Sequence, residues 1–321
     1  MKIIADSFIK ENISYPELIA ALKIGFREDK IQCPPKLSYD YLSTKSTQAN
    51  TALIMPAWDN TSVFGVKLIT ATPSNIEIPY LNGLYLLFSA ENGRPIAAMD
   101  AKLITNMRTA ATSVLASSFL ARKDASTVLI MGNGSLAPYY IKAYASLASV
   151  KKIYLWGRNL KKSNEVIRSV EVPSTITIEA ISEYRTVSKS VDIVSCITSA
   201  SKALIHLDDI WKGQHFDLAG SYKENMQEVS TEVVAGATIY TDNLDVTIEH
   251  AGELVQALNE DKIKVSDIKD DLKMLCKTDD SKRVSETENT LFKCTGMALE
   301  DLVFAQLVYN KYKQTVISDK N

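Results

Sequence analysis

A glycine-containing segment between a predicted strand and a predicted helix restricts this chain to few folds. The apolar run 127–131 is typical of a buried strand, and the residues after the glycines favour a helix. The segment fits G-x-G-x-x-A, in which the first glycine allows a tight turn, the second admits a pyrophosphate, and the alanine keeps the helix near the sheet. The alternative is a plain glycine turn. The pattern predicts a dinucleotide site made of Gly132, Asn133, Gly134, Ser135, Leu136 and Ala137.

Strands and helices alternate through the middle of the chain. After the strand at 127–131, a helix precedes a second strand at 151–157, and TITIEA, DIVSCIT, HFDLAG and ATIYTDN predict four more strands. Such alternation indicates an α/β fold with a doubly wound parallel sheet, which we place at 113–290. The polar stretch 270–289 is expected to be a surface connection.

The first hundred residues have a different pattern. Ser14 and Glu17 have the spacing of a capping box at the start of a helix. Apolar runs at 36–42, 51–57, 62–71 and 83–90 then predict a mainly antiparallel sheet that includes a hairpin with an Asn-Gly turn. A helix is predicted over 101–122. The last predicted helix, 295–313, follows the parallel sheet and is expected to pack back, so 1–112 and 291–321 form a discontinuous α+β domain.

The end of the second predicted parallel strand indicates which dinucleotide binds. An acidic residue usually contacts the ribose 2′-hydroxyl of NAD there, but this chain has Gly157, Arg158 and Asn159, followed by Lys161 and Lys162. Arg158 can pair with a 2′-phosphate, and the lysines add positive charge. The alternative is a solvated basic helix start. We therefore expect NADPH, with NADH as a possible second cofactor, and nicotinamide-ribose contacts at Ser195 and Thr198.

Composition excludes several classes of function. The 321 residues carry 36 Lys plus Arg and 38 Asp plus Glu, so the net charge of -2 argues against a nucleic-acid-binding protein. No apolar run approaches the ~18 residues of a membrane-spanning helix, and the first residues lack a signal-peptide core, so we expect a cytoplasmic protein. The 4 cysteines and 3 histidines lack metal-ligand spacing, and no metal site is expected.

Nearly the whole chain, from about Leu18 to Leu307, resembles the ornithine cyclodeaminase/mu-crystallin family. The resemblance rests on GVK at 65–67, RTAATS at 108–113, GNGSLA at 132–137 and TGMALEDL at 295–302, in that order. It implies a substrate and dimerisation domain completed by the last helix, and a central Rossmann domain. It further implies a homodimer, with the substrate held between the domains.

The resemblance also assigns roles to individual residues. Lys67 and Arg108 match the family's active-site lysine and arginine, and Lys36 stands where many members carry an arginine for the substrate carboxylate. Arg108 and Thr109 would face the cofactor, and Asp301 would orient a cation or cap a helix. The remaining contacts that it implies are Ser221 and Tyr222 with the cofactor, and Tyr222 also with the substrate.

The chemistry of a cyclic imino acid agrees with these roles. Its carboxylate adjoins the C=N bond, so Lys67 and Arg108 can hold the carboxylate while Lys67 or a water supplies a proton to the nitrogen. Without the resemblance, the residues alone favour structural roles for Lys67 and Arg108. Lys67 would reach solvent from a half-buried strand, and Arg108 would belong to a structural ion pair on its helix.

One departure from the family pattern separates its activities. Cyclodeaminases carry an aspartate in a GGDxPGK segment, and Tyr222 occupies that position here. A phenol is a poor replacement for a carboxylate base, which argues against ring-closing lyase activity. We expect an oxidoreductase that reduces cyclic ketimines, converting Δ1-pyrroline-2-carboxylate to L-proline and Δ1-piperideine-2-carboxylate to L-pipecolate. The alternatives are an alanine-type dehydrogenase, an opine-like synthase, and a ligand-binding protein like mu-crystallin with a pocket lined by Tyr80, Tyr85 and Phe88.

Overall fold

The computed structural model describes residues 1–42, 49–75 and 77–318, which form two compact units. One unit is Met1–Arg108 with Met297–Asn321, and the other is Thr109–Gly296. Sequence analysis placed the boundaries at 112/113 and 290/291. The predicted discontinuous domain extends to residue 321, but residues 319–321 lie outside the described part.

The first unit contains a mostly antiparallel sheet in the order β1-β7-β6-β5-β4-β2, with β3 paired to β4 and β1 parallel to β7. Its strands are β1 Lys2–Ile3, β2 Ile31–Gln32, β3 Leu37–Tyr41, β4 Asn50–Asp59, β5 Val63–Ala71, β6 Leu81–Ser89 and β7 Pro95–Asp100. The helices that begin in it are α1 Asp6–Asn12, α2 Tyr15–Glu28 and α3 Ala101–Leu120.

The second unit contains a parallel sheet in the order β10-β9-β8-β11-β12-β15-β13-β14. Its strands are β8 Thr127–Met131, β9 Lys152–Trp156, β10 Thr177–Ile181, β11 Ile193–Cys196, β12 His215–Leu218, β13 Thr238–Thr241, β14 Ile268–Asp271 and β15 Thr290–Lys293. Its helices are α4 Ala137–Ala145, α5 Leu160–Arg168, α6 Thr231–Ala235, α7 Leu244–His250, α8 Gly252–Asn259 and α9 Leu272–Cys276; α10 Ala298–Ser318 returns the chain to the first unit. The predicted α/β fold with a doubly wound parallel sheet is confirmed.

One prediction about the end of the second unit is wrong, and one strand there was not predicted. The segment 270–289 is not only a surface connection, because it contains the end of β14 and helix α9, whose Leu272, Leu275 and Cys276 are buried. Strand β15 was not predicted, although it lies between β12 and β13 and pairs with both. A boundary at 290/291 would cut this strand, so the chain leaves the second unit only after it.

Helix α10 packs on strands β4 and β5 of the antiparallel sheet, and α2 packs on α10. The predicted capping box of α2 is present, with Ser14 Oγ accepting from Glu17 N at 3.4 Å and Glu17 Oε2 accepting from Ser14 N at 3.1 Å. The two helices pack closely, because a Cβ at Gly25 would lie 2.5 Å from Val303 Cγ2. The apolar side chains Leu18, Leu22 and Phe26 of α2 are buried.

Strand β5 alternates between a buried and a more exposed face. Val63, Gly65, Lys67, Ile69 and Ala71 are buried, while the residues between them are exposed or half-buried. Successive side chains of a strand point to opposite faces of the sheet, which accounts for this alternation. Lys67 therefore points toward the helix-covered face, and an ammonium group there needs partners within the fold.

Candidate active site

Four charged side chains form a buried cluster in the first unit. Lys67 Nζ lies 2.7 Å from Asp301 Oδ2, and Arg108 Nε lies 3.1 Å from Asp301 Oδ1. Arg108 Nη1 lies 2.5 Å from Glu300 Oε2. Asp301 thus joins the two cations, and each cation has a carboxylate partner. No side chain of the cluster is more than 6% exposed.

Three elements bring this cluster together. Lys67 comes from the inward face of β5, Arg108 from α3, and the two carboxylates from the first turn of α10. Acidic residues are favoured there because the first backbone N–H groups of a helix attract negative charge. Glu300 Oε1 also accepts from Met297 N at 3.3 Å. Sequence analysis included Asp301 but missed Glu300, whose position beside Asp301 in the first turn of the helix was the available signal.

Burial changes the acidity of Lys67. Removal from water lowers the pKa of its ammonium, Asp301 opposes this change and Arg108 adds to it, and the net result is a fall from 10.5 to about 8. The group is therefore charged at neutral pH yet able to give up its proton. Because Lys67 is 2% exposed, the interpretation that it extends to solvent is wrong. Arg108 does form buried ion pairs, but with Glu300 and Asp301 of α10 and not with a residue of its own helix.

Tyr85 lies beside Lys67 on the neighbouring strand. The two residues are directly paired between β5 and β6. Tyr85 is 1% exposed, and among the described residues its hydroxyl has no hydrogen-bond partner. The hydroxyl lies over Gly65, where a Cβ would approach Oη to 2.1 Å. Burial and the charge of Asp301 raise the pKa of this phenol well above 10.0, so it stays protonated and can only donate or accept a hydrogen bond.

Lys36 lies near the row of residues that contains Lys67. Leu37 pairs with Ile54 on β4, and the next pair along β4 and β5 joins Met55 to Lys67. Continuing the register by one residue places Lys36 on this row, two strands from β5 and thus about 10 Å away. The side chain is half-buried. This position is compatible with the predicted role in binding a carboxylate.

The predicted dinucleotide segment forms an open loop at the carboxyl end of β8. Gly132 has φ +123°, and a Cβ there would lie 2.9 Å from the carbonyl oxygen of Ile197. Beside Gly134 there is open space, with no heavy atom within 4 Å of an ideal Cβ. Gly134 and Ser135 are exposed, Leu136 is half-buried, and α4 starts at the buried Ala137. The loop can therefore admit a pyrophosphate at a helix N-terminus.

The turn after β9 packs on this loop. Asn133 Nδ2 donates to the Asn159 carbonyl at 2.9 Å and to Ser163 Oγ at 3.0 Å. A Cβ at Gly157 would lie 2.3 Å from the Asn133 side chain, so any larger residue there would displace Asn133. Asn159 caps α5 by accepting from Lys162 N at 3.1 Å. Arg158 and Lys162 are exposed, and no carboxylate ends the strand, which fits a phosphate-bearing ribose.

Several other predicted cofactor contacts have partners within the protein. Ser195 Oγ donates to Asp217 Oδ2 at 2.6 Å, and Ser221 Oγ accepts from Lys293 Nζ at 2.7 Å; both serines are fully buried. Contact with a cofactor through either hydroxyl would require breaking these bonds. Thr109 is also buried, on α3. Tyr222, in contrast, is 45% exposed, with Lys223 Nζ 5.7 Å from its ring centroid.

A doubly wound sheet with a glycine loop at the end of its first strand is typical of dinucleotide-binding proteins. The sequence model of the ornithine cyclodeaminase/mu-crystallin family matches residues 3–316, and the chain belongs to that family. This confirms the resemblance derived from the motifs. A Colwellia psychrerythraea protein named Delta(1)-pyrroline-2-carboxylate reductase is 34% identical over 316 residues, which cover 97% of this chain and 99% of that protein.

Two solved structures share the fold over nearly the full length. Thermococcus litoralis Delta(1)-pyrroline-2-carboxylate reductase, in complex with NADH and L-proline, gives a TM-score of 0.89 at 25% identity and covers 98% of each chain. An archaeal alanine dehydrogenase dimer with bound NAD gives a TM-score of 0.86 at 25% identity, covering 98% of this chain and 97% of that chain.

In the described part of this chain, no helix has the length and apolar character needed to cross a membrane.

Proposed function

We propose that the protein reduces cyclic imino acids with a nicotinamide dinucleotide. The substrate is Δ1-pyrroline-2-carboxylate, which becomes L-proline, and Δ1-piperideine-2-carboxylate is reduced to L-pipecolate as a second substrate. The observation that carries the proposal is the buried cluster of Lys67, Arg108, Glu300 and Asp301. The named relatives support an oxidoreductase that acts on a C=N bond.

The cluster supplies the groups that this substrate needs. Arg108 and Lys67 are cations held in fixed positions by Asp301, and they bind the carboxylate next to the imine carbon. Lys67 then gives a proton to the imine nitrogen, because its pKa of about 8 suits a general acid near neutral pH. Asp301 stabilises the ammonium before transfer, and Lys36 adds positive charge to the carboxylate site.

The second unit binds the dinucleotide. Gly132–Ala137 holds the pyrophosphate, and Arg158 with Lys162 holds the 2′-phosphate, so NADPH is preferred and NADH is the weaker cofactor. When bound, the reduced nicotinamide supplies the hydride that adds to the imine carbon. The proton from Lys67 would then complete the conversion of the C=N bond to CH–NH.

The outer face of the antiparallel sheet supports a homodimer. Leu37, Ile54, Leu68 and Leu84 form one row across four strands, because each pairs with the next. Three of them, Leu37, Leu68 and Leu84, are 42–53% exposed. Phe64 lies on the same face and contacts Trp58 and Phe88. A continuous apolar row of this kind is typical of a subunit interface, so a second copy of the chain covers it.

An alanine-type amino-acid dehydrogenase is the second candidate, favoured by the similarity to the archaeal enzyme. It would need the same carboxylate site but would form an open-chain imine from a keto acid and ammonia. Ring-closing lyase activity is disfavoured because Tyr222 stands where cyclodeaminases carry the aspartate.

A substrate panel tests the proposal. Δ1-pyrroline-2-carboxylate, Δ1-piperideine-2-carboxylate, and pyruvate with ammonia are each assayed with NADPH and with NADH. We expect both cyclic imines to be reduced at least about tenfold more efficiently than pyruvate, a difference of about 1.4 kcal/mol. The reverse order would favour the dehydrogenase, and dinucleotide binding without turnover would favour a binding protein. Ammonia release from ornithine with NAD would support the lyase.

A further inference from the structure

Two loops meet at the carboxyl edge of the parallel sheet, next to the point where the strand order reverses. The chain runs from β8 outward to β9 and β10, then returns to β11 on the other side of β8. The loop after β11 contains Thr198, and the loop after β12 contains Gly220 and Ser221. A Cβ at Gly220 would lie 2.1 Å from the Thr198 carbonyl oxygen. The two loops are therefore in direct contact at the edge where such sheets bind ligands.

Glu228 connects these loops through both of its carboxylate oxygens. Oε1 accepts from Thr198 N at 2.6 Å and from Thr198 Oγ1 at 2.9 Å. Oε2 accepts from Gly220 N at 2.8 Å and from Ser221 N at 3.2 Å. Each oxygen thus binds one loop, and the side chain is fully buried.

A second carboxylate, that of Glu253, binds the backbone of Glu228 and pairs with Lys293. Glu253 Oε1 accepts from Glu228 N at 2.7 Å, and Glu253 Oε2 lies 3.2 Å from Lys293 Nζ. Ser221 Oγ contacts both Glu253 and Lys293. Burial raises the pKa of Glu228 above its usual range, the Lys293 ammonium opposes this shift, and Glu253 adds to it.

Removing these charged groups from water costs free energy, so the network contributes more to the geometry of the loops than to the net stability of the fold. Four hydrogen bonds to one side chain add to the backbone hydrogen bonds between the two loops, such as that from Gln227 N to the Ala200 carbonyl at 2.8 Å, and fix the ends of the loops next to the sheet. The glycine loop after β8 lies on one side of the reversal point, and these two loops lie on the other. A dinucleotide whose pyrophosphate lies on the glycine loop extends its second half toward them.

We propose that Glu228 is a positioning residue that clamps the loops after β11 and β12 in the shape that receives the nicotinamide half of the dinucleotide. This inference rests on the proposed dinucleotide-dependent function. Glu228 acts through Thr198, Gly220 and Ser221, since its own oxygens are occupied by their N–H and O–H groups.

The test is the variant Glu228→Gln, measured by fluorescence titration with NADPH and by steady-state kinetics. Glutamine keeps the volume, but its NH₂ group faces N–H donors on one loop, which then lose their acceptor. We expect the Kd for NADPH to rise about tenfold or more, while kcat at saturating NADPH stays within about threefold of wild type. The matched control is Glu232→Gln on α6, an exposed carboxylate paired with Lys262, which should leave both unchanged.

A second variant keeps the test decisive if Glu228→Gln does not fold. Thr198→Val removes one donor to Glu228, and we expect it to raise the Kd about threefold. A folded variant with wild-type Kd, even one with a lowered Tm, overturns the clamp. Wild-type protein that binds NADPH but reduces no imino acid contradicts only the reductase proposal. Wild-type protein that binds no dinucleotide overturns both.

Discussion

Lys67 and Asp301 form an ion pair with Nζ and Oδ2 2.7 Å apart, and neither side chain is more than 2% exposed. Asp301 uses its other oxygen to bind Arg108 at 3.1 Å. One carboxylate therefore fixes both cations that we assign to the substrate carboxylate, and removal of either partner would leave a buried charge unpaired. This arrangement explains how a lysine on an apolar strand can be both charged at neutral pH and acidic enough to donate a proton.

The acidity of Lys67 predicts a pH dependence for catalysis. The lysine must be protonated to donate, so kcat/KM should be constant below its pKa of about 8 and fall as pH rises through that value. Asp301 raises this pKa, so Asp301→Asn should move the fall to lower pH. Lys67→Arg should abolish it, since a guanidinium does not titrate in this range. A wild-type kcat/KM that does not change between about pH 7 and about pH 9.5 would rule out Lys67 as the acid.

Arg158 predicts the choice of dinucleotide. It stands exposed at the end of β9, where no carboxylate repels a 2′-phosphate. Arg158→Ala should raise the KM for NADPH about tenfold or more and change that for NADH little, because only the phosphate contact is lost. The neighbouring Lys161→Ala should have a smaller effect. Wild-type enzyme that prefers NADH would show that the basic turn does not bind a phosphate.

The hydroxyl of Tyr85 predicts that one substitution in the core stabilises the protein. Tyr85→Phe removes a buried hydroxyl that has no hydrogen bond within the described residues, so the free energy of unfolding should rise by about 1 kcal/mol. The control is Tyr140→Phe, which breaks a 2.8 Å hydrogen bond to Ser113 and should lower the free energy by about 1 kcal/mol. Urea denaturation of both variants measures the difference. Equal losses in the two variants would mean that Tyr85 has a partner.

The apolar row on the outer sheet face predicts a homodimer. Light scattering at micromolar concentration should give twice the chain mass of 35.5 kDa. Leu68→Lys places a charge in the middle of the row and should shift the mass toward that of the single chain. Lys269→Glu, an exposed charge change on β14, serves as the control. A wild-type mass of 35.5 kDa would contradict the interface.

Local signals predicted much of this structure. The spacing of Ser14 and Glu17 gave the start of α2, and the apolar run at 62–71 gave strand β5, because each depends on neighbours in sequence. The glycine pattern at 132–137 gave the first loop of the parallel sheet. In each case the physical cause lies within a few residues of the motif.

The parts that could not be predicted depend on distant partners. Strand β15 ends in Lys293, a residue disfavoured in a central strand until its partners Glu253 and Ser221 are known. Helix α9 has apolar residues at helical spacing, but the charged residues around them made the segment resemble a surface connection. The clamp at Glu228 joins segments some thirty residues apart, and no spacing rule relates them. Buried charge networks are found by geometry, since each member alone resembles a surface residue.

The variant Lys67→Ala tests the central claim that the buried cluster is the imino-acid site. Wild type and variant are compared for kcat/KM with Δ1-pyrroline-2-carboxylate and, by fluorescence, for NADPH affinity. We predict a loss of about a hundredfold in kcat/KM, equivalent to about 3 kcal/mol of transition-state interaction, with partial recovery in Lys67→Arg and an unchanged Kd for NADPH. A Lys67→Ala enzyme that turns over at nearly the wild-type rate would contradict the account and leave this lysine a purely structural ion-pair partner of Asp301.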